Sequence, residues 1–201
     1  MKFFFLAFLF QSLSSPGQSH TDTIKLNFLY GSVPAKGHKN AEPKWFGGLK
    51  GGHVNIEADG HVLDFRPNGQ CDIIPDNKKP NGGFYLSQSL YWDTATTKWA
   101  SIKIPVTQQQ LLKLTDVFID VVTKTPYDYA VFGMRCAAAS YDVLSEIGLV
   151  KKRSEKNNII SNFYPKLLRK RMLKWAKKNN YPIYYHEGRP TRKWETDEGI
   201  F

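Results

Sequence analysis

The sequence predicts an α+β fold in which an antiparallel sheet packs against helices. As far as Pro105, apolar and polar residues mostly alternate, which is typical of strands. Beyond that residue, apolar side chains recur every three or four positions, which is typical of helices. The chain has 201 residues, 41% of them apolar. Because that is enough to bury one core, we expect a single domain over residues 20–201.

The first nineteen residues resemble a secretory signal peptide. They contain a lysine, then an apolar run from Phe3 to Phe10, and then small and polar residues that end at Ser19. The run is much shorter than the roughly 20 residues that cross a bilayer. We therefore expect cleavage near Ser19 and an exported protein, periplasmic or secreted, with no transmembrane segment in its mature form.

Alternating segments predict the strands of the sheet. Asp59-Gly60 suits the tight turn of a hairpin, because glycine accepts a positive φ. The stretch between the first two strands is rich in Gly, Pro and Lys and predicts a long loop. The predicted strands cover residues 23–30, 53–58, 61–67, 84–92 and 98–106, with a last one over 181–187.

Three helices are predicted in the second half of the chain. Thr107 and Gln110 have the spacing of a capping box, and the helix that they start ends before Pro126. A second helix runs from Arg135 to Ile147 and is terminated by Gly148. In the third, over 163–180, the inward stripe is Tyr164, Leu168, Met172 and Trp175, and the outward side chains are Lys166, Arg169, Lys170, Lys174 and Lys177.

The net charge of +10 is concentrated at the end of the chain. Lys and Arg outnumber Asp and Glu by 14 to 5 over residues 151–201, whereas the two kinds balance at 13 each over 21–150. Such a basic segment is typical of a solvated helix face. The alternative is a surface that binds an anionic polymer of the cell wall or membrane.

The hairpin GGHVNIEADGHVLDFRP, residues 51–67, places polar side chains within strand-like sequence. His61 and Asp64 are an odd number of positions apart, so on a regular strand they point to opposite faces and only one can face His53. We favour Asp64, because a carboxylate hydrogen-bonds an imidazole readily; a bulge would select His61 instead. A zinc site formed by all three is the alternative, but the chain has no closely spaced pair of ligands, so we expect neither a metal nor any other cofactor.

Cys136 lies in the first turn of the second predicted helix. The helix dipole and the neighbouring Arg135 both favour the thiolate and so lower the pKa of the thiol. Backbone N–H groups at a helix start can also hold an oxyanion. The alternatives are that Cys136 is a buried core residue or forms a disulfide with Cys71.

Taken in order, HVNIEADGHVLDF and RCAAASYDVLSEIG resemble the motifs of the circularly permuted branch of the NlpC-type papain-like superfamily. That branch includes lecithin-retinol acyltransferase-like proteins. The resemblance covers about residues 50–150, and the hairpin turn is one residue shorter than the family pattern. It implies a papain-like fold with Cys136 as nucleophile, His53 as general base and Asp64 as the group that orients the imidazole.

The resemblance also implies a function: an exported cysteine hydrolase that cleaves an amide bond in cell-wall peptides through a thioester. The alternatives are a hydrolase or acyltransferase for lipid esters or amides that uses the same triad, and a non-catalytic module that binds anionic polymers. Tyr127 and Tyr129 are candidates for oxyanion or substrate binding, with aromatic packing as their alternative role. Trp45 is a candidate to line a substrate groove. We expect a monomer.

Overall fold

Six antiparallel strands form one sheet in a computed structural model that describes residues 22–31, 51–68, 71–76, 78–90 and 92–188. The predicted signal peptide and Trp45 lie outside these residues. Along the sheet the order is β4-β3-β2-β1-β5-β6. The strands are β1 (Asp22–Tyr30), β2 (Gly52–Ala58), β3 (His61–Pro67), β4 (Gly82–Ser87), β5 (Trp99–Val106) and β6 (Ile183–His186).

Alternation along the strands sends one set of side chains into the hydrophobic core. Leu26 of β1 is paired with Ile56 of β2 on one side and with Ile102 of β5 on the other, and all three are buried. Such cross-strand apolar neighbours stabilise the register, since a slip by one residue would turn every one of them to the other face. The sheet therefore contributes a continuous row of apolar side chains to the core.

The described residues contain four helices: α1 (Gln108–Thr123), α2 (Cys136–Glu146), α3 (Glu155–Ser161) and α4 (Pro165–Lys178). The predicted capping box is confirmed, because Thr107 accepts from the Gln110 backbone N–H while the Gln110 side chain accepts from the Thr107 backbone N–H. Three successive buried alanines in α2, residues 137–139, let that helix lie close to its neighbours. The α+β prediction is thus confirmed at the level of a six-stranded antiparallel sheet with helices.

Several predicted boundaries were wrong. β4 ends at Ser87 rather than at residue 92, and the next residues form bends. The short helix α3 was not predicted, because seven mostly polar residues give little apolar periodicity. The third predicted helix begins at Pro165, whose ring suits the first helical position, instead of at residue 163.

Arg169 is the main correction to the predicted faces of α4. It was expected to face out, yet it is only 6% exposed, and its guanidinium lies 3.5 Å from the centre of the Tyr30 ring. Stacking on an aromatic face explains how this cation is accommodated. Leu168 and Met172 of the predicted inward stripe are buried, whereas Trp175 is half-buried.

Within the described part of the chain, none of the helices has both the length and the apolar character needed to cross a membrane.

Candidate active site

His53 and Asp64 form a buried pair on neighbouring strands. His53 Nε2 donates a hydrogen bond to Asp64 Oδ1 at 2.6 Å, and the two residues are 0% and 2% exposed. In the strand register Asn55 is opposite Asp64, so His53, two residues before Asn55, shares the face of Asp64. The sequence-based choice of Asp64 as the neighbour of His53 therefore agrees with the geometry.

Gly52 sets the course of the backbone directly before His53. Its φ is +100°, and a Cβ added there would overlap the carbonyl oxygen of Leu29 on β1. Only glycine accepts both the positive φ and this close approach. The start of β2, and with it the position of the imidazole, therefore depends on the absence of a side chain at residue 52.

Cys136 is the first residue of α2, and its thiol contacts the same imidazole. Cys136 acts on the pKa of His53 both by its charge and as a hydrogen-bond partner, so the two side chains lie within reach of each other, and Cys136 is 2% exposed. Because Nε2 of His53 donates to Asp64, a neutral imidazole in this arrangement has an acceptor at Nδ1 for the thiol proton. The start of β2 and the start of α2 thus bring together His53, Asp64 and Cys136. The outer two, His53 and Cys136, are 83 positions apart in the chain.

The electrostatics of the pair favour a charged imidazole. Burial alone would lower the pKa of His53. The negative charge of Cys136 and the hydrogen bonds to Asp64 and Cys136 outweigh that effect, so the pKa of His53 is raised above its ordinary value. By reciprocity, the imidazolium stabilises the thiolate of Cys136.

A row of polar side chains continues from Asp64 across the sheet. Asn55, Asn27 and Ser101 occupy consecutive strands in register with Asp64, and each is at most 3% exposed. Asn27 Nδ2 donates to Asn55 Oδ1 at 3.1 Å. Sequence analysis did not assign Asn55 a role, although its position two residues after His53 on the strand was a sufficient signal for a shared face.

Trp92 was missed as a neighbour of His53, and the contact of Arg135 with Phe163 was not predicted either. The Trp92 indole meets the His53 ring edge-on, with 6.3 Å between the ring centres. Arg135 occupies the N-cap position of α2 without a side-chain capping hydrogen bond, and its guanidinium lies 4.0 Å from the centre of the Phe163 ring. Nothing in the local sequence connects Trp92 with His53 or Phe163 with Arg135, because both contacts depend on the tertiary fold.

The remaining predicted residues lie elsewhere. His61 is exposed, and its Nδ1 is bonded to the backbone carbonyl of Asp59 in the hairpin turn. Tyr127 and Tyr129 both pack against Phe65, at 5.3 and 5.1 Å between ring centres. Burial raises the pKa of Tyr127 well above its ordinary value, so this phenol stays neutral, and the geometry favours the packing role for both tyrosines.

The two cysteines do not form the alternative disulfide, since neither sulfur is bonded to another sulfur among the described residues. Cys71 is half-buried and donates to the backbone carbonyl of Asp72 at 3.4 Å. Among the described residues, no cluster of three or more His, Cys, Asp or Glu side chains has the arrangement of a metal site.

The fold and the site define an α+β protein with a buried Cys–His–Asp constellation, carried by a helix start and two adjacent strands. Comparisons with family models, with curated proteins and with solved structures gave no match.

Proposed function

We propose that this protein is an exported cysteine hydrolase of the permuted NlpC-type papain-like class that cleaves an amide bond, with cell-wall peptides as its substrates. The observation that carries the proposal is the imidazole of His53, which is hydrogen-bonded to both Asp64 and the Cys136 thiol. A nucleophile, a base and a group that orients the base are the parts that acyl transfer needs.

In the proposed reaction, His53 takes the proton of Cys136, and the thiolate attacks the carbonyl carbon of the amide. The oxyanion that forms accepts hydrogen bonds from backbone N–H groups at the start of α2, where no side chain caps the helix. The amine leaves with the proton returned by His53, and a thioester remains on Cys136. Water, deprotonated by His53, then attacks the thioester and releases the carboxylic acid and the thiol.

A lipid ester or amide is the second candidate substrate, and an apolar cleft favours it. The cleft has a volume of about 560 Å³, and it is lined by the apolar Phe132, Ile159 and Ile160 together with the polar Ser154, Glu155 and Lys156. Ile73 and Ile74 are 67% and 72% exposed, and the backbone N–H of Phe132 donates to the Ile73 carbonyl. Exposed aliphatic side chains beside such a cleft suit an acyl chain better than a polar peptide.

The test is to incubate the mature protein with purified peptidoglycan and, separately, with mixed-lipid vesicles, and to identify the products by mass spectrometry. We expect release of peptide fragments from peptidoglycan; release of fatty acid or transfer of an acyl group would select the lipid alternative. Cys136→Ala and His53→Ala should both abolish the product, while Cys71→Ala serves as the matched control at the other thiol. Product formation that survives Cys136→Ala would overturn the proposal.

A further inference from the structure

Arg135 is a buried cation, and two of its three guanidinium nitrogens have no hydrogen-bond partner among the described residues. It is 8% exposed, and its Nε and Nη2 atoms are buried and make no hydrogen bond there. Burying a guanidinium whose donors make no hydrogen bond is costly, since those donors have lost their contacts with water. A ligand that brings an acceptor to these nitrogens would offset that cost.

Two aromatic rings hold the guanidinium in place. Its central carbon lies 4.0 Å from the centre of the Phe163 ring and 5.4 Å from that of Tyr164. Stacking on these faces restricts the orientation of the side chain while leaving its N–H donors unused. The rings therefore orient the cation but do not neutralise it.

The position of Arg135 connects it with the thiol and with the apolar cleft. It is the residue directly before Cys136 and the N-cap of α2, whose first backbone N–H groups receive no side-chain cap. On its other side, the Phe163 ring lies 6.3 Å from that of Phe132, which lines the cleft. Arg135 thus contributes a cation from the residue next to the reacting cysteine, at the positive end of the α2 dipole.

We infer that the guanidinium of Arg135, the N-cap residue of α2, forms a subsite for a negatively charged group of the substrate, a carboxylate or a phosphate, near the bond that Cys136 attacks. This inference rests on the proposed function for the role of Cys136. A planar guanidinium donates two parallel hydrogen bonds to either group. The substrate class is therefore an acyl compound with a negative charge near its scissile bond, such as a peptide carboxylate or a phosphate-bearing lipid headgroup.

The charge preference of alkylation at Cys136 tests this subsite directly. Iodoacetate and iodoacetamide react by the same chemistry, but only iodoacetate carries a negative charge. The rate with iodoacetate divided by the rate with iodoacetamide at Cys136 therefore measures the charge preference, and a change in the thiolate fraction cancels in this ratio. Peptide mapping by mass spectrometry separates Cys136 from Cys71, which serves as an internal control. We expect Arg135→Met, which keeps contact with Phe163 and loses the charge, to lower the ratio at Cys136 by roughly tenfold.

Two variants separate charge from packing. Arg135→Lys should retain most of the wild-type ratio, and Lys113→Gln, which removes an exposed cation from α1, should not alter it. The ratio at Cys71 should stay constant in all of them. An unchanged ratio at Cys136 in Arg135→Met would overturn the subsite while leaving the nucleophile intact.

Protection experiments identify the source of the anion and do not depend on turnover. N-acetylalanine supplies a carboxylate and glycerol phosphate supplies a phosphate. The compound that slows alkylation of Cys136 by iodoacetamide more strongly identifies the anionic group that Arg135 binds. The same compound should raise the melting temperature of the wild-type protein and not that of Arg135→Met. If Cys136 proves unreactive, the proposed hydrolase fails, and equal melting shifts in both proteins would overturn the subsite as well.

Discussion

The imidazole of His53 lies between the carboxylate of Asp64 and the thiol of Cys136. In this arrangement Nε2 is the hydrogen-bond donor and Nδ1 is the proton acceptor. The hydrogen bond from Nε2 to Asp64 holds the tautomer in which Nδ1 accepts a proton. Because Asp64 is only 2% exposed, water does not replace its carboxylate as the hydrogen-bond partner of His53 Nε2. In the proposed reaction, Asp64 is therefore a positioning residue that acts on Cys136 through His53.

Replacement of Asp64 tests this role. We expect Asp64→Asn to lower the rate of product release by roughly 10²-fold, because the amide can hold the wrong tautomer and no longer stabilises the imidazolium. The pH profile of alkylation at Cys136 should move to higher pH in the same variant, which a purely structural role would not cause. Asp59→Asn is the matched control, since Asp59 is an exposed turn residue near the same hairpin; equal rates for the two variants would contradict the role.

The sequence contained enough information for the Cys136, His53 and Asp64 prediction, but not for Arg169 or Arg135. The period of two along a strand showed that only one of His61 and Asp64 can face His53, and the readiness of a carboxylate to hydrogen-bond an imidazole favoured Asp64; neither argument needs a tertiary contact. Arg169 was assigned to solvent because charged side chains normally face out. Its burial depends on Tyr30, a residue 139 positions away that only the folded sheet brings near.

The hairpin of β2 and β3 and the start of α2 are the elements that create the site. Gly52 fixes how β2 begins, because its φ of +100° and its approach to Leu29 exclude any side chain. The backbone conformation at the start of β2 therefore determines where the His53 side chain lies. Disturbing this backbone should affect stability and the site together.

We expect Gly52→Ala to destabilise the protein more than Gly60→Ala does. Both glycines have positive φ, but a Cβ at residue 60 meets nothing within 4 Å, so only the conformational strain of roughly 1–2 kcal/mol is expected there. At residue 52 the overlap with Leu29 adds roughly 1–3 kcal/mol. Urea denaturation gives the free energy of unfolding of each variant; equal losses at the two positions would contradict the close approach.

Element types could be predicted better than element ends. The capping box at Thr107 and the positive-φ glycine at residue 148 marked helix boundaries, because both signals are local. The end of β4 and the existence of α3 depend on packing that leaves no periodic trace in a short polar segment. The antiparallel order of the six strands likewise requires long-range pairing, such as that of β1 with β5.

At the scale of the whole molecule, two regions favour two different functions. The basic C-terminal segment favours binding of an anionic polymer, and the candidate active site favours hydrolysis. The exposed lysines of α4 form a solvated face, while Arg169 on the same helix is buried under its contact with Tyr30. A solvated basic face attracts polyanions without specificity, and that attraction weakens with salt. Charge on this face and chemistry at Cys136 can therefore be separated by substitution.

We expect the triple variant with glutamine at the exposed α4 positions Lys170, Lys174 and Lys177 to bind polyphosphate less tightly at low salt. It should nevertheless release the same products as the wild-type protein, because these side chains are not part of the Cys136 site. Cys136→Ala should show the opposite behaviour, with unchanged polyphosphate binding and no product. If product formation required the three lysines but not Cys136, the product would come from a contaminating enzyme. That result would favour a non-catalytic binding module.

The pH dependence of alkylation by iodoacetamide at Cys136 tests the thiol–imidazole pair most directly. Because the pKa of His53 is raised, the imidazolium persists to a higher pH than an ordinary imidazolium does and stabilises the thiolate there; it is lost as the pH rises through that raised pKa. We expect the alkylation rate at Cys136 to reach its plateau at a lower pH than the rate at Cys71, because only Cys136 has the imidazolium beside it. In His53→Gln the Cys136 profile should move up to that of Cys71; coincident profiles of the two cysteines in the wild-type protein would contradict the pair.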